Sequence, residues 1–297
     1  MRVNPNMVPD VLAAISQAQE AQDAALQQIS TGKRVNQPSD DPATAAALVE
    51  NQSRADAVDQ YTQNGNTVLD MVQTADSALS SVVSDVNQAI SVGVEGANST
   101  MSDADRQTLA NQVAGTLSSV VSLANTSYGG IHLFGGTATT TVPFTSDTTS
   151  PSGYQYNGND GVNSVAIGDG YEVPVNVPGD QLFQHSGADL LGSLQQLVTA
   201  LQGGDTTAIG TATNQLRSAL DYVNQERTFY GNVSNQINAQ ESFLQNETVS
   251  LKAQETSLAG VDMATAATNL SQAQIATQAA LEAAAKVLPE SLLNYLS

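Results

Sequence analysis

A long run of apolar residues at alternating steps of three and four is the feature that most limits how this chain can fold. The run comprises Val58, Tyr61, Gly65, Val68, Val72, Ala75, Leu79, Val82, Val86 and Ala89. This spacing places every member on one face of a helix, and that face needs a partner helix to cover it. A helix that begins near Pro42 and carries this run would have about fifty residues and a length of roughly 75 Å. The sequence therefore predicts a helical rod.

The composition agrees with long, thin helices. Of the 297 residues, 40% are hydrophobic but only 4% are aromatic, so the apolar residues are chiefly Ala, Val and Leu. With 9 basic and 29 acidic residues, the formal net charge is -20, and such a chain is repelled by phosphate backbones and anionic lipids. We therefore expect no nucleic-acid partner and no membrane partner. Because the chain has no Cys, disulfides and thiolate metal sites are excluded.

A narrower apolar run precedes the rod. Its positions are Val8, Leu12, Ile15, Gln19, Gln22, Leu26 and Ile29, so the middle of this seam is polar. Pro9 is expected to displace the start of the helix to about Asp10. Gly32 is suited to a left-handed C-cap, and Ser39, Asp40 and Asp41 can each cap a new helix with Pro42 at its first position.

Further helices are predicted on both sides of the middle of the chain. Ser102 and Asp105 form a capping-box pattern before a helix that carries Leu109, Val113, Leu117, Val120 and Ala124. A helical pattern covers 188–201, and a longer run follows with apolar residues at intervals of seven, namely Val223, Tyr230, Ile237, Leu244, Leu251 and Leu258. After a break at Gly260, the face of a last Ala-rich helix includes Leu281, Ala284, Leu288 and Leu292. The two terminal helices bury little by themselves, which points to assembly with other copies.

Between these helices the sequence becomes rich in Gly, Thr and Pro. Short alternating runs at Tyr154–Tyr156, 162–167 and 171–177 are separated by Asn-Gly and Asp-Gly turn signals. The predicted fold class is therefore mainly α: a long antiparallel helical coiled-coil rod with paired terminal helices and a small antiparallel β insert.

No residue pattern indicates catalysis, a cofactor site or a metal site. The two histidines, His132 and His185, lie in the turn-rich middle, and neither has a second ligand at metal-binding spacing. Asp160 and Asp169, with nearby Asn oxygens, are ligands of the kind that Ca²⁺ binds. Tight hairpin turns require the same Asn-Gly and Asp-Gly pairs, and we favour the turns. The chain is predicted not to be an enzyme.

The N-terminal sequence lacks the apolar core of a cleaved secretory signal. Pro9 and Asp10 interrupt the only apolar stretch there. No segment approaches the length of a transmembrane helix. We therefore expect no cleaved signal peptide.

The charged break between the first two helices has a recognisable sequence. The stretch ISTGKRVNQPSDDPATAAALV, residues 29–49, closely resembles the N-terminal signature of the bacterial flagellin family, in which it joins a terminal arm to the rod. The C-terminal stretch LAGVDMATAATNLSQAQIATQAALEAAAKVLPESLLNYLS resembles the other characteristic end of that family. The likeness covers roughly the first 90 and the last 60 residues.

Three details favour the hook-filament junction branch of this family over filament flagellin. They are the start MRVNP, the segment YGGIHLFGGTATTTVPF and the end SLLNYL followed by one Ser. A short filament flagellin is the alternative within the family. Outside it, the alternative is a secreted enzyme or a secreted glycan-binding module, the latter using Tyr154, Tyr156 and Tyr171 of the β insert.

The resemblance implies an architecture, a location and partners. The terminal helices would pair in an inner tubular layer, a longer helical rod would surround it, and the β insert would face outward. The chain would be exported unfolded, through the flagellum's own type III channel, to the extracellular hook-filament junction. The implied partners are copies of the chain in a ring, a neighbouring hook-associated protein on the hook side, flagellin on the filament side and a cytoplasmic export chaperone at residues 264–296.

The chain divides accordingly into arms, hinges, rod and insert. The expected segments are an N-terminal arm helix over 1–32, a hinge loop over 33–42, rod helices over 43–127, a β-rich outer insert over 128–187, rod helices over 188–258, a return hinge over 259–263 and a C-terminal arm helix over 264–297.

Two sets of residues are expected to serve assembly. The arm residues are Val8, Leu12, Ile15, Leu26, Ile29, Leu270, Leu281, Leu288 and Leu292. The loops that join arm and rod, here called the hinge, are expected to let arm and rod adjust their relative angle. The hinge residues are Gly32, Lys33, Arg34, Pro38, Asp40, Asp41, Pro42, Gly260 and Asp262.

Overall fold

The computed structural model describes the backbone of residues 7–296 and the side chains of residues 9–286. The helices are α1 (Met7–Thr31), α2 (Pro42–Gly96), α3 (Asp103–Ala124), α4 (Gly179–Phe183), α5 (Leu190–Gly203), α6 (Thr206–Ala259) and α7 (Met263–Leu296). The predicted fold class, mainly α with a small antiparallel β insert, is confirmed. None of the described helices is both long and apolar enough to cross a membrane.

The β insert consists of separate two-stranded antiparallel pairs. The strands are β1 (Ser127–Tyr128), β2 (Ile131–His132), β3 (Phe144–Ser146), β4 (Tyr154–Tyr156), β5 (Ser164–Gly168), β6 (Tyr171–Pro174), β7 (Gln184–His185) and β8 (Ala188–Asp189). Each strand pairs with its immediate neighbour in the chain, so β1 pairs with β2, β3 with β4, β5 with β6 and β7 with β8. Such short pairs need other packing to be stable, because an isolated two-stranded hairpin is marginal in water.

The chain divides into two compact units. The terminal unit comprises Met1–Ala57 and Asn246–Ser297, and the middle unit comprises Val58–Gln245. The long helices α2 and α6 contribute residues to both units.

The predicted rod seam is buried in the middle unit. Every seam position from Val58 to Ala89 is buried except Tyr61, which is half-buried. Near the end of α2, a Cβ at Gly93 would overlap Thr213 Oγ1, and a Cβ at Gly96 would overlap the Leu201 side chain. These two glycines therefore let α5 and α6 pack directly against the α2 backbone.

An aromatic cluster anchors the β insert to the helical core of the same unit. The Phe134 and Phe183 rings meet edge to face with centroids 5.4 Å apart, and the Phe144 and Phe183 rings do so at 5.6 Å. All three rings are fully buried. On α6, the buried Tyr230 hydroxyl accepts a hydrogen bond from the Val177 N–H at 3.4 Å. The short strand pairs are thus stabilised by side-chain packing rather than by joining a larger sheet.

The turn between α2 and α3 is closed by side chains. The predicted capping box is confirmed: Ser102 Oγ accepts from the Asp105 N–H at 3.2 Å and donates to Asp105 Oδ2 at 2.7 Å. The buried Arg106 donates to the carbonyls of Gly96 and Asn98, at 3.1 and 2.8 Å. Gly96 is the last residue of α2, so Arg106 donates to a terminal carbonyl that has no partner within the helix, and through Asn98 it also holds the following turn.

Several predicted boundaries differ from the structure. Helix α1 begins at Met7 and not at about Asp10, because a proline in the first helical turn removes an N–H that has no intrahelical acceptor. The helix predicted from residue 188 begins at Leu190, since Asp189 Oδ1 caps it by accepting from the Gly192 N–H at 2.8 Å. Strand β6 ends at Pro174. The short elements β1, β2, β3, β7, β8 and α4 were not predicted individually.

The buried seam gives a test of the middle unit. Leu79→Ala removes a fully buried side chain and is expected to lower the free energy of unfolding by about 2–5 kcal/mol. The matched control is Val94→Ala on the same helix, where the side chain is 54% exposed. Chemical denaturation of the full chain measures both changes. An equal loss in the two variants would contradict the assigned seam.

Candidate assembly arm and hinge

Helices α1 and α7 form an antiparallel pair, here called the arm. Their Cα atoms approach within 8 Å along the pair. The seam residues, which are buried or half-buried, are Val11, Ile15, Ala18, Gln22, Ala25 and Ile29 on α1, and Ala266, Leu270, Ala273, Thr277, Ala280 and Ala284 on α7. Both sets alternate steps of four and three, as in a coiled coil. Alanine at half of these positions is what permits the close approach.

Two polar side chains, Gln22 of α1 and Thr277 of α7, meet in the middle of the arm seam. Thr277 Oγ1 lies 3.5 Å from Gln22 Oε1, and it also donates to the Ala273 carbonyl at 2.8 Å. A polar pair inside an otherwise apolar seam favours one register over others, because any shift leaves these groups facing apolar neighbours.

The predicted arm residues occupy two different environments. Ile15, Ile29 and Leu270 lie in the seam and are half-buried. Leu12, Leu26 and Leu281 are 60%, 45% and 50% exposed, so the prediction that Leu12 and Leu26 belong to the α1 seam was wrong by one position. The apolar pattern of the sequence assigns the larger residues to the seam, whereas in the structure the helices pack through Ala18, Ala25 and their neighbours. The side chains of Val8, Leu288 and Leu292 lie outside the described residues.

The two loops of the hinge pair with each other through the backbone. Lys33 and Gly260 form an isolated antiparallel bridge. The Arg34 N–H donates to the Ala259 carbonyl at 2.6 Å, and the Val261 N–H donates to the Gly32 carbonyl at 3.1 Å. The chain can turn into this bridge because Gly32 has φ of +69°, the left-handed conformation predicted for its C-cap. The end of α1 and the start of α7 are therefore fixed to each other.

Charged side chains reinforce the backbone bridge. Lys33 Nζ lies 2.8 Å from Glu255 Oε1 on α6. Arg34 Nη2 contacts Asp41 Oδ2 at 3.2 Å and donates to the Leu258 carbonyl at 3.3 Å. Both ion pairs are substantially exposed, so each contributes little stability alone and serves mainly to orient the loops.

Aspartates cap the turns and helices of the hinge. Asp40 Oδ2 accepts from the Asn36 and Gln37 N–H groups at 2.9 Å, and Asp262 Oδ1 accepts from the Ala264 N–H at 2.9 Å. Asp41 accepts from the Thr44 hydroxyl at 2.6 Å, and α2 begins at Pro42 as predicted. The exposed Pro38 lies in the turn that precedes these caps.

These hydrogen bonds lower the pKa values of the three carboxyl groups. Backbone donors from Gln37 and Asn36 lower the pKa of Asp40. The Thr44 side chain lowers the pKa of Asp41, and the Ala264 N–H lowers the pKa of Asp262. Each group therefore stabilises the hinge in its ionised form.

Sequence reasoning missed two hinge residues. Val35 is 6% exposed and is the buried anchor of the first loop, and Glu255 is the acidic partner of Lys33. A single valine between Arg34 and Asn36 was a usable signal, because an isolated apolar residue in a charged loop is often an anchor. The pairing of Lys33 with Glu255 had no local signal, since the two residues are far apart in sequence.

The remaining candidate residues lie in turns and packed contacts of the middle unit. The His132 ring nitrogen Nδ1 lies 3.0 Å from the Asn125 carbonyl, and the His185 ring stacks on Tyr222 with centroids 4.3 Å apart. Asp169 precedes Gly170, whose φ is +64°, in the tight β5–β6 turn. No cluster of three or more His, Cys, Asp or Glu suited to a metal ion occurs among the described residues.

The tyrosines of the insert do not form one exposed surface. Tyr156 pairs with Phe144 across β3 and β4, with ring centroids 5.2 Å apart, and its hydroxyl donates to the Phe134 carbonyl at 2.9 Å. Burial raises the pKa of Tyr156 to about 12. Tyr154 is half-buried, and only Tyr171 is exposed.

The arm, the hinge and the long helices coincide with two recognised sequence regions. Residues 3–139 match the bacterial flagellin N-terminal helical region, and residues 206–296 match the bacterial flagellin C-terminal helical region. Together the two regions cover most of the chain. The chain belongs to the bacterial flagellin family. Its relatives in this family are structural proteins of the flagellum and not enzymes.

Two relatives resemble the chain over different fractions of its length. Flagellar hook-associated protein 3 of Escherichia coli is 39% identical over 123 residues, which are 41% of this chain and 38% of that protein. The flagellin of Bacillus subtilis is 23% identical over 319 aligned positions that cover 100% of both chains. The chain thus aligns with well under half of the first relative. The second match extends over both chains in full, at low identity.

The fold is shared with solved structures of flagellar proteins. The crystal structure of the flagellar junction protein FlgL from Legionella pneumophila has a TM-score of 0.60 and 15% sequence identity, and the match covers 72% of this chain and 99% of that chain. At this identity, the likeness concerns the fold alone.

The hinge carboxylates predict a pH dependence. A carboxyl group with a lowered folded pKa contributes stability above its unfolded value of 3.8, and that contribution is lost as the pH falls through the lower folded value. Asp262→Asn should therefore lower the thermal unfolding midpoint at neutral pH, and the difference from wild type should close below about pH 4. The matched control is Asp23→Asn, at an exposed position in the middle of α1. A difference that persists at the lowest pH would contradict the capping role.

Proposed function

We propose that this chain is a structural adaptor of the bacterial flagellum, which polymerises at the hook-filament junction and anchors the first filament subunits. The single observation that carries the proposal is the arm. Its α1–α7 seam is built largely of alanine, while Leu12, Leu26 and Leu281 remain exposed. A helix pair that leaves several large apolar side chains in water gains stability when neighbouring molecules cover them.

The relatives support the junction over other flagellar positions. Both the E. coli hook-associated protein 3 and the Legionella junction protein carry names that refer to the hook or the junction. We propose the same position for this chain, with a hook-associated protein on the hook side and flagellin on the filament side. Export through the flagellar type III channel and an export chaperone that binds residues 264–296 belong to the same proposal.

Two other functions, a filament flagellin and a glycan-binding module, make different demands on the structure. A filament flagellin would use the same arm, and it is distinguished by forming long filaments from its own copies alone. A glycan-binding module would need an exposed aromatic surface, but Tyr154 and Tyr156 are half-buried, and Tyr156 is tied to the core. We therefore keep only the filament flagellin as the second candidate.

Deletion of the gene tests the proposal. We expect loss of swimming, hooks that remain in place and flagellin shed into the medium as monomers, because nothing would anchor the first filament subunits. Expression of the intact gene from a plasmid should restore filaments. Hooks that bear normal filaments in the deletion strain would overturn the junction role.

Glycine substitutions in the hinge test whether arm and rod must adjust to each other. Gly32→Ala forces a side chain into a left-handed conformation at a cost of about 1–2 kcal/mol, and a Cβ at Gly260 would overlap the Thr256 carbonyl. Both variants should reduce swimming in the complemented deletion strain while secretion of the protein stays unchanged. The matched control is Gly231→Ala on α6, where a Cβ meets nothing within 4 Å. Unchanged swimming in both hinge variants would count against the adjustable hinge.

A further inference from the structure

The exposed leucines of the arm lie together on one side of the seam. Each of them follows a seam residue by one position: Leu12 follows Val11, Leu26 follows Ala25 and Leu281 follows Ala280. In an antiparallel helix pair, positions that follow the seam on either helix fall on the same side of the pair, by its two-fold symmetry. We call this side, defined by Leu12, Leu26 and Leu281, the leucine face.

The opposite side of the arm is a shallow groove. Its cavity of about 420 Å³ is lined by Ala21, Ala24, Ala25, Gln28, Asn269, Gln272, Ala273 and Ala276. Apart from Ala25 and Ala273, which belong to the seam, each lining residue precedes a seam residue by one position. We call this side the alanine groove. Its small side chains leave room for large ones that protrude from elsewhere.

Charged side chains are few on both sides, and of those within 11–29 and 266–284 Asp23 alone follows a seam residue, Gln22, and so shares a side with the leucine face. Between residues 11 and 29 and between residues 266 and 284, the charged side chains are Glu20, Asp23 and Glu282. All three are exposed. Glu20 and Glu282 fall at the heptad position farthest from the partner helix, so they point outward from the pair. The leucine face and the alanine groove can therefore be covered without burying either of these carboxylates.

We propose that the leucine face of one copy docks into the alanine groove of the next copy. This inference rests on the proposed assembly of the chain with itself and adds the faces through which it occurs. The occupant is a second copy because the arm itself offers both complementary surfaces, a row of protruding leucines and a neutral groove lined by alanine. A contact between unlike faces is heterologous, and it generates a ring or a helical array rather than a closed pair.

Cysteine cross-linking tests the pairing directly, because the natural chain has no Cys. Each of Leu12→Cys and Leu26→Cys is combined with each of Ala24→Cys and Ala276→Cys, which gives four double variants of the full chain. They are expressed in the deletion strain, and isolated hook-filament structures are mildly oxidised. We expect at least one double variant to give a ladder of trimers and larger multimers, while every single variant stays monomeric. The matched control, Gln27→Cys with Thr268→Cys at outward positions, should give no ladder.

Each result of the cross-linking has a defined meaning. Dimers formed by Leu26→Cys alone would show that like faces meet, and they would overturn the proposal. Absence of ladders in all four double variants, in cells that still swim under reducing conditions, would overturn the docking faces and leave the junction role intact. Failure of the junction role itself is recognised separately, by normal filaments in the deletion strain.

A groove-filling experiment covers the case in which the cysteine variants do not assemble. Ala24→Leu and Ala276→Leu fill the groove without adding charge, and they should reduce the swim zone in soft agar severalfold while secretion is unchanged. Gln27→Leu adds the same side chain at an outward position and should swim normally. Normal swimming in both groove-filled variants would overturn the proposal.

Discussion

The backbone bridge between Lys33 and Gly260 is the constraint on which the architecture of the terminal unit depends. It fixes where α1 ends relative to where α7 begins, so the two helices have only one way to align along their length. That alignment brings Gln22 opposite Thr277 and alanines opposite one another along the seam. Once the alanines are used in the seam, the leucines one position away must face outward. The exposed surface of the arm thus follows from the hinge.

The two units are stabilised in different ways. The middle unit buries large side chains completely, including Phe134, Phe183 and Leu79, and each such residue contributes about 1.5–3 kcal/mol on burial. The arm seam buries mostly alanines, which remove far less apolar area from water. The arm seam therefore contributes less stability than the core of the middle unit, and this difference agrees with the proposal that neighbouring copies cover the arm.

The long helices and their ends could be predicted from the sequence, whereas the shortest strands could not. The rod seam from Val58 to Ala89 was predicted because a repeated spacing over many turns leaves only one face to bury. The caps at Gly32 and Ser102 and the helix start at Pro42 were predicted because each depends on the chemistry of a particular residue type. The strand pairs β1–β2 and β7–β8 have only two residues in each strand, and no periodic pattern can be read from so few positions.

The error in the arm seam has a physical cause. Sequence periodicity weighs residues by hydrophobicity, so Leu12 and Leu26 outweighed Val11 and Ala25. Close helix pairs select small residues for the contact, because only they allow the backbones to approach. Where a helix carries both a row of alanines and a row of leucines, the choice of seam depends on the partner helix, and α7 is rich in alanine. The contact between Lys33 and Glu255 could not be predicted from the sequence for a related reason, since it joins distant parts of the chain.

The net charge of -20 makes the distribution of charge along the chain more informative than its sum. Negatively charged copies can still assemble if the surfaces that touch are neutral. Electrostatic repulsion between them is screened beyond about 8 Å at physiological salt, whereas apolar contacts act at short range. Between residues 11 and 29 and between residues 266 and 284 the arm comes close to this condition, since the alanine groove is lined by uncharged residues and Glu20 and Glu282 point away from the partner helix. Lys33 and Arg34 lie instead in the hinge, where they contact acidic residues of the same chain. Charged side chains thus pair within the chain at the hinge, and in the proposed assembly the contacts between copies would be made by apolar side chains.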